Sequence, residues 1–380
     1  MLSPITNAIP QTHLLIIILA IVLLASLRRK KDSSFFSVDT TTELKGLAIL
    51  MVVLSHIGYF LVSDQHFLVP LSNYAGVGVD LFLILSGYGI MTSALRKPLS
   101  TGQFYRKRLS KIYLPVLLTL VILLISDALI LHIFYPASLT IKNLLGFFPS
   151  ADLYTDINSP LWFITPLLVQ YLLFPLVFYK RMPLLAPLAI ALFGWIMISL
   201  DLPKLLSITW GVYNLYRLHF IGFPLGLLLG AVLNQPPIVQ KKWLTYIHSV
   251  CQSPMIHRLS RWGALVIVTG VVWVLLNHSM VGETWKKEEG LSVLTALAMI
   301  TFFIIKKTEV RLLTLFGQFS FEIYLLHWPL LYRYHLFYQW VPAGIATLLY
   351  LSLFITLGWC YQKIFLWLSL RLSNKKIIHQ

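Results

Sequence analysis

The chain has 380 residues, of which 58% are hydrophobic and only 12% charged, and its mean hydropathy is +0.78. Soluble proteins carry about 25% charged residues, so this composition excludes a soluble globular protein and indicates a polytopic membrane protein. The 30 Lys and Arg against 14 Asp and Glu would suggest nucleic-acid binding in a soluble chain, but basic loops that set membrane topology explain them better here.

Eleven apolar segments are long enough to predict transmembrane helices. They cover about 12–27, 44–62, 75–95, 109–134, 160–179, 184–200, 216–233, 262–277, 289–305, 312–332 and 341–369. The segment 312–332 is the weakest, because glycine and polar residues interrupt it. We predict an all-α fold, a polytopic transmembrane helix bundle of about eleven spans.

The first segment ends in the basic run Arg28 to Lys31. A signal peptide carries its positive charge before the apolar run, so a retained helix with an external N-terminus is expected. Alternating sides from there places the basic clusters and the C-terminus in the cytoplasm. The longest extramembrane stretch, 234–261, is predicted to be a surface loop. Cys251 and Cys360 lie in unlike segments, so neither a disulfide nor a metal site is indicated.

Lys45 and His56 are the most informative pair in the second segment. They are eleven residues apart, which is about three helical turns and about 16 Å, so both lie on one helix face. With Lys45 near one interface, His56 is expected near the membrane midplane. His56 is either a hydrogen-bonding contact between helices or a general base, and Lys45 is either a snorkelling anchor or part of an anion site.

The third segment combines small residues with a buried carboxylate. Gly76 and Gly78 suit close helix packing. Asp80 needs a partner in the apolar core, and we expect Lys45 or His56 to supply it, since a carboxylate contact fixes the tautomer of an imidazole. Ser86 and the glycine after it are expected to interrupt the helix and present backbone amides to a ligand.

A basic run that includes Arg108 and Lys111 follows this segment. It either sets topology and meets anionic lipid or binds the phosphates of a nucleotide-bearing donor. Farther along the chain, Trp162 lies at the start of a predicted helix. It is either an aromatic-belt residue at the membrane interface or part of the functional site.

The segment 317–329 holds Glu322, Tyr324 and His327. It is too polar to face lipid, so these side chains are expected to face the bundle interior or a watery cavity. Pro329 is expected to end or kink the helix and to free carbonyl groups that need partners.

Together these segments resemble the acyltransferase 3 family of integral membrane acyltransferases, over about residues 39–370. The family hallmark is an arginine, ten residues and a histidine; Lys45 stands in the arginine's place and His56 matches. The Gly-Val-Asp-Leu-Phe and Leu-Ser-Gly-Tyr stretches at 78–88 are similar to the family's second-helix signature. Phe104-Tyr105 with Arg108, Leu161 to Phe163, and 317–329 match further family segments.

The resemblance implies transfer of an acyl group, often acetyl, from cytoplasmic acyl-CoA to a hydroxyl of a saccharide or another envelope component, in a bacterial plasma membrane. His56 carries over as catalytic and Arg108 as donor-binding, while Asp80 and Ser86 are signature positions. Acyl-CoA serves as donor substrate, with no tightly bound cofactor, no metal and no nucleic-acid partner.

This chain departs from the family in two places. Lysine at position 45 keeps the charge of the family's arginine but lacks its bidentate fork. Residues 1–38 add a transmembrane helix and a basic linker before the acyltransferase-like domain 39–370, and 371–380 are expected to form a cytoplasmic tail. No second domain for an acyl relay is expected.

On this reading, the donor phosphates dock against Arg108, Lys111 and Lys45. Asp80 orients His56, which deprotonates the acceptor hydroxyl or briefly carries the acyl group itself. The alternative function is a transporter for a saccharide or lipid-linked intermediate, whose pathway the same buried charges would line. The acceptor, the acyl group and the oligomeric state are not encoded in any recognisable motif.

Overall fold

The apolar segments form helices in the computed structural model, which describes residues 5, 7–30, 36–60, 67–97, 100–234, 254–278 and 284–377. The α-helices of this part are α1 (Ala8–Ala25), α2 (Val38–Phe60), α3 (Ala75–Arg96), α4 (Thr101–Ser126), α5 (Ala137–Leu144), α6 (Ile164–Val177), α7 (Leu185–Ser199), α8 (Leu202–Leu206), α9 (Trp210–His219), α10 (Gly222–Leu233), α11 (Pro254–His278), α12 (Trp285–Ile305), α13 (Arg311–Gln318), α14 (Ser320–Tyr332) and α15 (Ala343–Ile377). The prediction of an all-α membrane bundle is confirmed.

Nine stretches of the described residues are long and apolar enough to cross a membrane. They are Ala8–Ala25, Val38–Gly58, Val69–Arg96, Thr101–Leu131, Ser159–Val177, Trp210–Leu233, Leu259–His278, Trp285–Ile305 and Ala343–Phe365. The other two predicted spans differ: α7 is a shorter apolar helix, and the segment 312–332 is divided into α13 and α14 at Phe319.

The predicted loop 234–261 and the predicted C-terminal tail are only partly described by the structure. Most of the predicted loop 234–261, including Cys251, lies outside the described residues, as do 378–380. Helix α15 continues to Ile377, so the described part of the predicted tail is helical. Cys360 is a half-buried free thiol in this helix.

The added N-terminal helix is attached to the bundle by two short strands that the sequence did not predict. Strand β1 (Leu27–Arg29) pairs antiparallel with β2 (Thr308–Val310), with Arg28 opposite Glu309. The Arg28 Nη2 lies 2.6 Å from Glu309 Oε1, and this guanidinium holds the pKa of the Glu309 carboxyl below its usual range. Strands of three residues with partners so distant in sequence leave no local signal.

Buried polar contacts also fix the start of α2. Glu43 is fully buried and accepts from Lys306 Nζ at 2.5 Å and from the Val310 N–H at 2.6 Å. Lys30 Nζ donates to the carbonyl of Phe303 at 2.7 Å. The basic linker after α1 is therefore tied to α12 and to the strand that follows it.

Helix α3 packs backbone to backbone against α10 because glycines lie at the contact. A Cβ added at Gly87 would lie 2.3 Å from the Phe223 carbonyl oxygen, and one added at Gly226 would lie 2.1 Å from that of Ile84. Only residues without a side chain permit such an approach. The predicted helix break at Ser86 and Gly87 is wrong, since α3 is continuous there and the glycine serves packing instead.

Candidate active site

One cavity of about 700 Å³ among the described residues brings most of the predicted site residues together. Lys45, His56, Ser86, Arg108, Trp162 and Tyr324 line it. Asp80 and His327 are fully buried, and each contacts a histidine that does line it. Lys111 and Glu322 are not among the lining residues.

Lys45 and His56 lie on α2 and line the same cavity, as their spacing predicts. The depth expected for His56 in the membrane stays a prediction, whereas its position along the helix is given by the structure. Helix α2 begins at Val38 and ends at Phe60, so His56 lies about 10 Å beyond the helix midpoint, whereas Lys45 lies about 6 Å before it. The histidine is therefore near the end of the helix, and the lysine is well inside it.

The Lys45 end of the cavity is strongly cationic. Arg108 of α4 also lines the cavity there, and its guanidinium lies over the Phe104 ring at 5.9 Å. The positive charges of Arg108 and Lys111 repel that of Lys45, although Lys111 is solvent-exposed. Like charges gathered at one end of an apolar chamber are stabilised by an anionic ligand.

His56 contacts a second histidine from α14. Its Nδ1 lies 3.0 Å from His327 Nε2, with the rings stacked at 5.2 Å between centroids. The ring of Trp328 meets His56 edge-on at 5.1 Å. Two aromatic rings, those of His327 and Trp328, therefore fix the orientation of the His56 imidazole.

The hydrogen bonds of His327 decide which nitrogen of His56 is basic. His327 Nδ1 lies 2.8 Å from the Tyr324 carbonyl oxygen and 3.1 Å from that of Ile323. Carbonyl oxygens only accept hydrogen bonds, so this Nδ1 carries the proton. In a neutral pair, His327 Nε2 then accepts from His56 Nδ1, which leaves His56 Nε2 unprotonated.

The expected partnership of Asp80 with His56 or Lys45 is wrong. The Asp80 carboxylate accepts from His219 Nδ1 of α9 at 2.9 Å and, through its other oxygen, from the Ser292 hydroxyl of α12. Asp80 lies on the face of α3 that packs toward α9 and α12. An imidazole therefore takes the place that a carboxylate was expected to hold beside His56.

Sequence reasoning missed His219, Ser292 and Glu289. His219 lines the cavity and stacks on Trp162 at 5.8 Å between centroids. Glu289 is buried, lies close enough to Asp80 for their charges to interact, and has its Oε1 without a hydrogen-bond partner among the described residues. The argument that singled out His56, an ionisable group inside an apolar segment, applies equally to His219.

Ser86 and Glu322 have different surroundings. The Ser86 hydroxyl shares a 2.6 Å hydrogen bond with Tyr171, and both residues line the cavity. Glu322 accepts from Gln362 Nε2 of α15 at 3.1 Å. The structure therefore does not bring Glu322 to the cavity with Tyr324.

The segment 158–160 forms hydrogen bonds with α14, the helix that carries His327. Pro329 lies inside α14 and provides no N–H for the Leu325 carbonyl, which accepts from Asn158 Nδ2 at 2.8 Å instead. The freed carbonyl thus has the partner that the sequence required, but α14 continues to Tyr332 rather than ending at the proline. The Tyr324 hydroxyl donates to the Pro160 carbonyl.

Just before this segment, Asp152 and Asp156 organise a turn. The Asp156 carboxylate accepts from the Asp152 N–H at 2.7 Å and from the Ser150 hydroxyl, and burial raises the pKa of Asp156. Backbone N–H groups of Thr155 and Tyr154 lower the pKa of Asp152. The turn carries Ala151 and Leu153 into the wall of the cavity.

A family model described as an acyltransferase domain, acyltransferase 3, matches residues 44–370. The chain belongs to this family. The match begins one residue before Lys45 and includes every predicted site residue. No curated protein and no solved structure matches the chain. The acyltransferase 3 assignment supports an integral membrane acyltransferase; among the described residues, no group of three metal-ligating side chains is placed to hold an ion.

Proposed function

We propose that the protein transfers an acyl group, with acetyl as the first candidate, from acyl-CoA to a hydroxyl of a saccharide or cell-envelope glycan. The observation that carries the proposal is a single cavity whose lining includes Lys45 and Arg108 at one end and His56 toward the other. Such a chamber accommodates two substrates that meet at the imidazole. Holding both in place supplies much of the rate enhancement by removing translational freedom.

The cationic end is the proposed donor site. Coenzyme A carries several phosphate charges, and an arginine fork with neighbouring lysines suits them. The excess of basic residues in the loops on this side supports a cytoplasmic orientation for it, where acyl-CoA is available. Lys45 offers a point charge in place of a fork, so we assign the directional phosphate contact to Arg108.

His56 is the proposed catalytic residue. Its unprotonated Nε2 either accepts the proton of the acceptor hydroxyl as that oxygen attacks the thioester carbon, or attacks that carbon itself. In both routes the carbon–sulfur bond breaks and coenzyme A leaves. His327 is proposed as a positioning residue, because it fixes the tautomer and contacts no substrate.

The experiment incubates the purified full-length protein with acetyl-CoA and a glycan extract and measures free thiol and acylated glycan. We expect His56→Ala to abolish both signals, and His278→Ala to leave them unchanged, because His278 is exposed at the end of α11 and bonds only its own helix in the described contacts. Thiol release also separates acyl transfer from the alternative of a translocase, which releases none. Equal rates for wild type and His56→Ala would remove the catalytic assignment.

Mass spectrometry of envelope glycans from cells with and without the protein identifies the product. An added acyl mass on a glycan hydroxyl is the expected difference. Identical glycan masses, together with active thiol release in the purified protein, would redirect the search to another hydroxyl-bearing acceptor.

A further inference from the structure

A second imidazole–carboxylate pair faces the same cavity as His56. His219 lines the cavity, and its Nδ1 lies 2.9 Å from the fully buried Asp80 carboxylate. An ionised carboxylate only accepts, so Nδ1 carries the proton, and Nε2 of a neutral ring is the basic nitrogen. Ser292 donates to the other Asp80 oxygen, and this fixes the carboxylate that orients the ring.

The imidazole edge carrying Nε2 lies beside Gly76, which also lines the cavity. A Cβ at Gly76 would lie 3.5 Å from His219 Cε1 and 4.0 Å from Nε2. Glycine at this position therefore places no side chain against that edge of the ring. Trp162 stacks on the ring face, which restricts rotation of the imidazole without covering its edge.

The two histidines lie at the same level of the chamber. Ser55, which precedes His56, accepts from the N–H of Ala75 at 3.1 Å, and Ala75 precedes Gly76. The start of α3 therefore contacts the residue before His56 through Ala75 and lies beside the His219 ring at Gly76. A buried imidazole–carboxylate contact that only joined helices would not need its imidazole in the wall of the cavity.

We propose that His219, oriented by Asp80, is the base that deprotonates the acceptor hydroxyl, while His56 receives the acyl group from the donor. This inference rests on the proposed function. It answers a chemical need of the covalent route: once His56 is acylated, its Nε2 is bonded to carbon and cannot accept a proton, so another base must activate the acceptor.

The two half-reactions balance. In the first, His56 Nε2 bonds to the acyl carbon, the carbon–sulfur bond breaks, and coenzyme A leaves as the thiolate. In the second, the acceptor proton passes to His219 Nε2, the acceptor oxygen bonds to the acyl carbon, and the carbon–nitrogen bond to His56 breaks. His219 then gives its proton to water, and the thiolate takes one from water.

The test compares two acceptors in the purified full-length protein with acetyl-CoA. Glycerol needs a base to lose its hydroxyl proton during attack, whereas hydroxylamine attacks as a neutral nitrogen and needs none. His219→Asn retains an amide N–H near the Nδ1 position for Asp80 but removes the basic nitrogen. We expect glycerol acetylation by this variant to fall by about 10²- to 10⁴-fold, with hydroxamate formation close to wild type.

Equal loss of both products in His219→Asn, or loss of neither, would overturn the assignment of His219. His56→Ala is expected to lose both products; if it retained wild-type thiol release, the proposed function itself would fail, and the two failures are therefore distinguishable.

A second variant covers the case in which His219→Asn does not fold. Gly76→Ala adds a methyl group whose nearest neighbour is 3.5 Å away, so nothing must move, yet the methyl narrows access to the ring edge. We expect lower glycerol acetylation with unchanged hydroxamate formation. A ratio of the two products equal to that of wild type would contradict the proposal.

Discussion

The role of His327 is tested by replacing its hydrogen-bond acceptor. His327→Leu removes the nitrogen that lies 3.0 Å from His56 Nδ1, whereas His327→Gln puts a carbonyl oxygen near the same position. The first change leaves the His56 N–H without its acceptor. The second retains an acceptor and therefore the tautomer with a basic Nε2.

The size of the effect follows from the cost of an unsatisfied buried donor, about 1–3 kcal/mol. This free energy favours moving the His56 proton from Nδ1 to Nε2, where it blocks the basic nitrogen. Since 1.36 kcal/mol corresponds to a factor of ten, the population of the reactive tautomer falls by about 5- to 160-fold. We expect kcat for thiol release to fall by the same factor in His327→Leu and to stay close to wild type in His327→Gln.

The assay is the initial rate of thiol release over a range of acetyl-CoA concentrations. The KM for acetyl-CoA should not change, because the proposed donor contacts lie at the Lys45 end of the cavity. Thermal unfolding of each purified variant shows whether the bundle is intact. A stable His327→Leu protein with wild-type kcat, or a His327→Gln protein as slow as His327→Leu, would refute the tautomer argument.

Three further predictions address other parts of the molecule. Lys45→Arg should keep the affinity for coenzyme A and Lys45→Ala should weaken it in calorimetric titrations; equal affinities in all three proteins would remove the lysine from the donor site. Gly87→Ala should destabilise the bundle by about 1–3 kcal/mol, since the methyl would lie 2.3 Å from a carbonyl oxygen of α10. Gly89→Ala, with nothing within 4 Å, should gain up to about 1 kcal/mol of helix propensity; thermal unfolding of the two variants in parallel decides this. Arg28 lowers the pKa of Glu309, so their contact should stabilise the attachment of α1 fully at pH values above the ordinary carboxyl pKa. This stabilisation should be lost as the pH falls through the lowered pKa of Glu309. Limited proteolysis across a pH series should show this dependence in wild type and not in Arg28→Ala.

The positions of the helices followed from the sequence because the physical signal is local. An apolar run of about twenty residues must satisfy its own backbone hydrogen bonds in lipid, so it forms a helix wherever it occurs. The same locality explains why Lys45 and His56 were predicted on one face, since their spacing is a property of one helix. The segment 312–332 was predicted as the weakest single span, and the division at Phe319 was not predicted.

The residues at the cationic end of the cavity were anticipated more fully than the partners of Asp80 and His56. The structure brings Lys45 and Arg108 to one cavity, whereas the partners predicted for Asp80 were wrong and His219 was missed. Asp80 and His219 are 139 residues apart, and His56 and His327 are 271 apart. Helical periodicity shows which face a residue occupies, but nothing in one sequence shows which distant helix that face meets.

By itself, the sequence determined that this chain is a helical membrane protein and which ionisable groups lie within its apolar segments. It also determined which acyltransferase segments the chain carries. Composition, periodicity and motif order sufficed for this because all three are read along the chain. Only the tertiary structure decided that an imidazole rather than a carboxylate contacts His56, and that Asp80 holds a second histidine at the cavity. The physical reason is that close backbone approach at glycines such as Gly87 and Gly226 sets how the helices rotate and pack, and hence which buried polar groups can satisfy one another.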